Sequence, residues 1–174
     1  PVAIAYRPNS RVLSQSGGKG VSRTQSLISA LMESYECDSA EKHEADIHST
    51  NEIELGLKNR THLDPKHLAI TLPSYTSNTK IDWSKGKNCI TGEEVLVPFQ
   101  AVSLDFTLMA NPETVTHMQL TSNGLASGKT KEQATISALY EIIERHSVTS
   151  HEILKMETSR PVDILSIPCS IQKY

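Results

Sequence analysis

One eight-residue pattern, Ser-Ala-Leu-x-Glu-x-x-Glu, occurs twice in this chain, as SALMESYE from Ser29 to Glu36 and as SALYEIIE from Ser137 to Glu144. A helix turning roughly 100° per residue brings positions i, i+4 and i+7 within about 60° of one another. Ser29, Glu33 and Glu36 therefore share one helix face, and so do Ser137, Glu141 and Glu144. Leu27, Leu31 and Tyr35 in the first copy, and Leu139, Ile142 and Ile143 in the second, point to the opposite side, where they are expected to build a core.

The lead-ins match as well. Gly17-Gly18-Lys19-Gly20 precedes the first copy and Asn123-Gly124-Leu125-Ala126-Ser127-Gly128-Lys129 the second, so each helix is expected to follow a glycine-rich turn. Ser22-Arg23-Thr24-Gln25 and Thr130-Lys131-Glu132-Gln133 both fit the S/T-x-x-Q capping box, in which side chains satisfy the first unpaired amides. Free N–H groups and the positive end of the dipole make such helix starts receptive to anions such as phosphate.

Glutamates gathered from two such faces would repel one another, and burial would push their pKa values up unless a cation neutralised them. Oxygen ligands without Cys or His suit Mg²⁺, Mn²⁺ or Ca²⁺, and Mg²⁺ shares its coordination between carboxylates and substrate phosphates. The residues thus point to a Mg²⁺-nucleotide site between two similar helices. The plain alternative is two solvated polar faces, which the placement of the four carboxylates decides.

SGGKG, SALMESYECDSAE, TSNGLASGKT and SALYEIIERHS, taken together, resemble the YcaO superfamily of ATP-dependent peptide-backbone cyclodehydratases and thioamide synthases. The opening PVAIAYRPNSRVLSQSGGKG is most similar to its TfuA-associated branch. The resemblance implies an enzyme that binds ATP and Mg²⁺ and phosphorylates the oxygen of a peptide amide. A Cys, Ser or Thr side chain of the substrate then yields an azoline, or an external sulfide a thioamide. It also implies a peptide or protein substrate, a TfuA-like partner and a homodimer.

Carried over by position, Glu33, Glu36, Glu141 and Glu144 are the implied Mg²⁺ ligands, and Lys19, Ser29, Asn123, Ser137 and Arg145 the implied ATP-binding residues. Arg145 closes the second E-x-x-E-R motif, whereas Cys37 stands where the first would carry its Arg. Ser137 holds a place that is Gln in some members. The mechanism implied is electrostatic and calls for no protein nucleophile.

At 174 residues the chain is about half the length of the family's domain, so residues 1–174 are expected to be a partial YcaO-like domain whose N- and C-terminal parts lie outside this sequence. On that expectation the parent protein is the enzyme. The chain alone is then a piece of its ATP pocket, or a non-catalytic scaffold that binds peptide or a partner protein. A simple divalent-ion or phosphate-binding module is the third reading.

Strands are expected near residues 2–6, 68–72, 95–99, 102–106 and 117–120, with helices over 23–44 and 131–151 and a loop or short helix from 158 onward. The stretch 81–98 reads as a hairpin turning at Ser84-Lys85-Gly86-Lys87 or at Thr91-Gly92. Strands clustered between helices favour an α+β fold with a mixed or antiparallel sheet over a parallel doubly wound one. Trp83 and Tyr75 read as core rings rather than stacking platforms, and Arg7 and Arg11 as either phosphate contacts or a surface loop.

A net charge of −3 argues against a nucleic-acid or anionic-membrane surface, and no apolar run approaches a membrane span or signal peptide. Cys37, Cys89 and Cys169, odd in number and far apart, suit reduced thiols and a cytoplasmic location. The glycine turn at 17–20 is no Walker loop, because Gly20 replaces the Ser or Thr that would hold Mg²⁺. His43 and His48 are five residues apart, not the four a metalloprotease helix needs, and neither motif helix has the Glu-x-x-His of a di-iron bundle.

Overall fold

A computed structural model describes residues 1–68, 75–107 and 115–154. The chain opens with an antiparallel hairpin, β1 (Val2–Tyr6) and β2 (Gln15–Lys19), in the register Val2↔Lys19 to Tyr6↔Gln15. Helix α1 (Arg23–Glu41) lies on this hairpin. A second antiparallel sheet, ordered β3-β4-β5, is built from β3 (Ile47–Thr50), β4 (Ile81–Lys87) and β5 (Glu94–Pro98), with the short helix α2 (Glu52–Leu57) after β3. Helix α3 (Lys131–Leu154) closes the described chain. The architecture is α+β with small antiparallel sheets, as expected from the clustering of strands between helices.

The expected glycine turn at 17–20 is largely strand β2. Along it Ser16 and Gly18 face inward and Gln15, Gly17 and Lys19 outward. A Cβ at Gly18 would fall 2.2 Å from both the Ala30 nitrogen and the Ser26 oxygen of α1, so only glycine permits the strand and helix to approach this closely. Ser26, Ala30 and Ser34, spaced one turn apart, are the buried side of α1. Leu27, Leu31 and Tyr35, expected in a core, are instead exposed, as are Leu139, Ile142 and Ile143 on α3. Close backbone packing through small residues leaves the large ones turned away.

The apolar core sits under the second sheet. Trp83 is fully buried, donates its Nε1–H to the Thr50 carbonyl at 2.8 Å, and packs with Leu55, Tyr75, Ile81, Leu96 and Met118. The expected hairpin turns at residues 88–93, around Thr91-Gly92 and not at Ser84–Lys87, which lies in β4. Asn88 Oδ1 holds the turn by accepting from the Ile90 and Thr91 amides.

Among the described residues, two expected strands do not form as continuous strands. At residues 102–106 the Leu104 N–H donates to the Ala40 carbonyl at the end of α1, and the Phe106 N–H to the Arg11 carbonyl, so this segment completes a helix terminus in place of a sheet. At 117–120 the His117 and Met118 amides both donate to Gln100 Oε1, and Met118 alone is a β-bridge residue, so the stretch is a single bridge among the described residues and not a continuous strand. The strand expected at 68–72 falls mostly, and the tail from 158 wholly, outside the described residues. Helix α1 stops three residues before the expected end because Asp46 already donates to the Trp83 carbonyl as the chain joins β4.

Candidate functional site

Both motif helices start as their sequences dictate. Ser22 Oγ accepts from the Gln25 amide at 3.2 Å while Gln25 Oε1 accepts from the Ser22 amide at 3.1 Å, a complete capping box. In α3 the Gln133 amide donates to Thr130 Oγ1, but Gln133 Oε1 accepts from Lys129, one residue earlier. Gly20 and Gly128, each two residues before its cap, touch the first turn alike: an added Cβ would lie 2.6 Å from Gln25 Cβ or 2.5 Å from the Ala134 nitrogen. The sequence repeat is thus a repeat of local structure.

Residues of both acidic rows line one hollow. A hollow of ≈ 220 Å³ is lined by Glu33, Glu36 and Cys37 of α1, Ser122 and Leu125 of the preceding turn, and Glu141 and Arg145 of α3. A second hollow of ≈ 510 Å³ shares Glu141 and Arg145 and adds Thr121, Asn123, Glu144, Val148 and Thr149. Six of the nine residues singled out in sequence therefore line these two hollows, which share Glu141 and Arg145, with Glu33 and Glu36 in the first and Asn123 and Glu144 in the second. Ser29 and Ser137 are exposed one turn before Glu33 and Glu141 and line neither hollow. Lys19 is exposed at the end of β2, beside the start of α1, and lines neither. The helix N-termini lie about 15 Å along their axes from the acidic rows, at 1.5 Å per residue, yet the second lead-in folds back so that Asn123 and Leu125 border the same hollows as the carboxylates.

Arg145 leans back along α3 and donates Nε at 2.8 Å and Nη2 at 2.6 Å to the same oxygen, Oε1 of Glu141. Burial pushes the Cys37 thiol up from its ordinary pKa; the nearby Arg7 charge opposes this, and Glu33, Glu41 and Glu36 push it higher still. Cys37 is therefore a neutral thiol in the wall, not a thiolate ligand. Among the described residues no three His, Cys, Asp or Glu side chains gather closely enough to cage a metal ion. Carboxylates facing one another across an open hollow suit an ion that takes part of its coordination from a bound phosphate, which is how Mg²⁺ is held, and not an ion that needs an all-protein cage.

Cys37 is recognisable in sequence only as a departure from the second motif. Ser122 and Leu125 fall within the TSNGLASGKT motif but are not among the site residues expected from it; they sit in the same turn as Asn123, where the Leu125 amide donates to the Ser122 carbonyl. Arg7 does not reach the hollow. It crosses to the far end of α1 and pairs with Asp38 at 3.1 Å and Glu41 at 2.6 Å. Arg11 pairs with Asp105 at 2.7 Å. Among the described residues no helix is long and apolar enough to cross a membrane.

The family model described as YcaO cyclodehydratase, ATP- and Mg²⁺-binding, matches residues 17–172. A Methanothermobacter thermautotrophicus protein is 37% identical over 149 residues, covering 83% of this chain and 37% of the relative. A Rhizobium leguminosarum bv. trifolii protein from the tfuA 3′ region is 33% identical over 145 residues, covering 83% of this chain and 34% of the relative. The chain thus spans about a third of the length of these curated relatives. Among solved structures, YcaO from Methanopyrus kandleri bound with AMPPCP and Mg²⁺ superimposes with a TM-score of 0.70 at 24% identity, over 95% of this chain and 40% of that one. A heterocyclase in complex with substrate and cofactor gives 0.59 at 19% identity, over 73% and 19%.

Proposed function

Because the chain belongs to the YcaO family, we propose that the depression between α1 and α3 holds Mg²⁺-ATP, and that the full protein uses it to activate a peptide amide. The observation carrying this reading is that Glu33 and Glu36 share one hollow with Glu141, acidic residues from both copies of the repeat, and with the cationic Arg145. Residues 1–174 are, on this reading, part of a YcaO-like domain. Glu33, Glu36, Glu141 and Glu144 hold Mg²⁺ and Arg145 contacts phosphate. Asn123, in the hollow with Glu144, and Lys19, Ser29 and Ser137, which lie outside both hollows, are the further nucleotide-binding residues on this reading. Bound Mg²⁺ would offset the charge of the phosphate oxygens during transfer.

The reaction passes the γ-phosphoryl of ATP to the amide oxygen of the substrate with release of ADP. A nucleophile then adds to the amide carbon and phosphate leaves. A substrate Cys, Ser or Thr side chain gives an azoline; an external sulfide gives a thioamide. The chain's own residues bind, orient and neutralise, and none forms a covalent bond to substrate. The relative from the tfuA 3′ region supports a TfuA-like partner protein, and the unpaired thiols of Cys37 and Cys89 support a cytoplasmic setting.

Calorimetric titration of Mg²⁺-ATP tests the site. Glu33→Ala and Glu141→Ala are each expected to weaken binding at least about ten-fold, the scale of a lost metal contact; nucleotide heat that survives both substitutions overturns the assignment. For the full protein, ATP turnover that rises with a precursor peptide supports an enzyme. Peptide binding that ignores nucleotide supports the scaffold reading, which the replacement of an arginine by Cys37 favours.

A further inference from the structure

Beside the two charged hollows lies a third, smaller pocket of ≈ 110 Å³. It shares Thr121 and Asn123 with the hollow of ≈ 510 Å³ and Leu125 with that of ≈ 220 Å³, so it adjoins both. Its chemistry is different. Where the hollows carry glutamates and Arg145, the pocket is walled by Ala40, Ala101, Val102, Leu104 and Leu125, and none of the described residues lining it is charged. Gly124 adds only backbone to the wall, at a φ of 83° that favours glycine.

The pocket is held by three segments. Ala40 ends α1 on its buried side, and its carbonyl accepts from the N–H of Leu104, also buried, at 3.2 Å. The edge common to pocket and hollow is fixed in turn by the Asn123 amide, which donates to Thr121 Oγ1 at 3.1 Å. Walls without charge suit neither a phosphate nor an ionised side chain. At about 30 Å³ for each water-sized group, the space takes roughly three or four non-hydrogen atoms, far fewer than a purine has. A short aliphatic side chain fits.

Position says which molecule supplies it. Ser29 stands one turn before Glu33, and Ala40 one turn beyond Glu36 on nearly the same side of α1. The two are about 16 Å apart along the axis, at 1.5 Å per residue. On the Mg²⁺-ATP reading, Lys19 and Ser29 serve the nucleotide from the start of α1 and the carboxylates hold its phosphates. Phosphoryl transfer sets the attacking and leaving oxygens roughly in line, so the acceptor stands beyond the phosphates, on the side away from the nucleoside. The pocket at Ala40 is on that side.

We propose that this pocket is a specificity subsite for the substrate peptide, receiving a small uncharged aliphatic side chain, up to about the size of that of valine, from the residue whose carbonyl oxygen takes the γ-phosphoryl. That side chain hangs from the carbon next to the activated carbonyl, which brings a pocket adjoining the phosphate hollow within its reach. Ala101 and Val102 set the size limit. The assignment rests on the Mg²⁺-ATP reading for the direction in which substrate lies.

The test uses the full protein with isotope-labelled methyl groups, loaded with Mg²⁺-AMPPCP and titrated with N-acetyl-X-methylamides in which X is glycine, alanine, valine, leucine or aspartate. The methyl resonances of Val102, Leu104 and Leu125 report binding. Affinity is expected to rise about four-fold for each carbon buried from glycine to valine, to gain nothing at leucine and to fall at aspartate. Val102→Ala is expected to put leucine ahead of valine. Ala101→Leu fills the space and is expected to abolish the advantage of valine over glycine; Ala101 borders neither charged hollow, so calorimetric Mg²⁺-AMPPCP affinity is expected to hold.

Equal responses to all five methylamides would overturn the assignment, as would a valine preference that survives Ala101→Leu. Weaker nucleotide binding in Ala101→Leu would overturn it too, by showing that nucleotide fills the pocket. Should Ala101→Leu not fold, Val102→Ala decides, and an unchanged order of valine and leucine there rejects the subsite. A protein that ignores Mg²⁺-AMPPCP overturns the proposed function and the subsite with it, whereas nucleotide bound with no methyl response to any methylamide overturns the subsite alone.

Discussion

The β3-β4-β5 sheet and the α1–α3 face bury their interiors in opposite ways. Beneath the sheet, Trp83, Leu55, Leu96 and Met118 are each at most 1% exposed and pack as large apolar side chains. Along α1 the buried residues are Ser26, Ala30, Ser34, Ala40 and Glu41, while Leu31 and Tyr35 stand more than 60% exposed. Helix α3 buries no residue among those described. Stability is therefore concentrated in the sheet, and the candidate site rests on a helix held by close backbone contact and ion pairs. A region built this way gains little from area and much from exact fit, so single charges there carry weight that they would lack on an ordinary surface.

The largest expected effect breaks the sheet side of the comparison. Trp83→Ala removes a fully buried ring and the donor to the Thr50 carbonyl, and is expected to cost about 3–5 kcal/mol in a urea titration. A loss below about 1 kcal/mol would mean that the sheet is not where the chain's stability lies.

The next effect belongs to the helical side and depends on pH. Burial alone would raise the Glu41 pKa, but hydrogen bonds from Arg7 and Ser10, the Arg11 contact and the Arg7 charge bring it from 4.5 down to about 2. A carboxylate whose pKa is lower in the folded state stabilises the fold above its unfolded pKa. That contribution is lost as pH falls from 4.5 toward 2. It amounts to about 3 kcal/mol at neutral pH. Glu41→Gln is expected to be destabilised by a similar amount at pH 7 and to show a flatter stability curve in that acid window. Parallel urea-midpoint curves for the two proteins would mean that Glu41 does not stabilise the fold in this way.

Much of this division could be read in the residues, and the misreadings have physical causes. The duplicated Ser-Ala-Leu-x-Glu-x-x-Glu set the helices and their acidic rows, because helical periodicity is a local property. The caps at Ser22 and Thr130 were equally local. Which side of α1 is buried was not legible, since Leu27, Leu31 and Tyr35 follow the amphipathic rule while the hairpin selects Ser26 and Ala30 through its approach at Gly18. A glycine pair that reads as a turn is here a strand needing the absence of a side chain. The strand expected at 102–106 did not form, and that at 117–120 is reduced to a bridge at Met118 among the described residues, because alternating apolar residues say nothing about where amides find acceptors. The Ala40 carbonyl and the Gln100 side chain supplied them from far away in sequence. Arg7 was legible only as an arginine in a turn, because its partners lie 31 and 34 residues on.

The smallest stability effect is expected at Arg145, which the proposed function places at the phosphates. Its side chain is 55% exposed and its contact to Glu141 is an i,i+4 pair on a helix surface, so Arg145→Ala is expected to change stability by less than about 0.5 kcal/mol. Yet Arg145 and Glu141 form the wall common to both hollows. On the proposed Mg²⁺-ATP reading, removing the guanidinium takes the one cationic side chain among the described residues from the walls of both hollows, and Mg²⁺-ATP affinity is expected to fall about ten-fold, the scale of one lost charge-assisted contact. The two measurements pull apart only if the residue serves the ligand rather than the fold. Affinity unchanged with stability unchanged would make Arg145 a surface residue. Stability lost in proportion to affinity would make α3, like the sheet, a matter of packing.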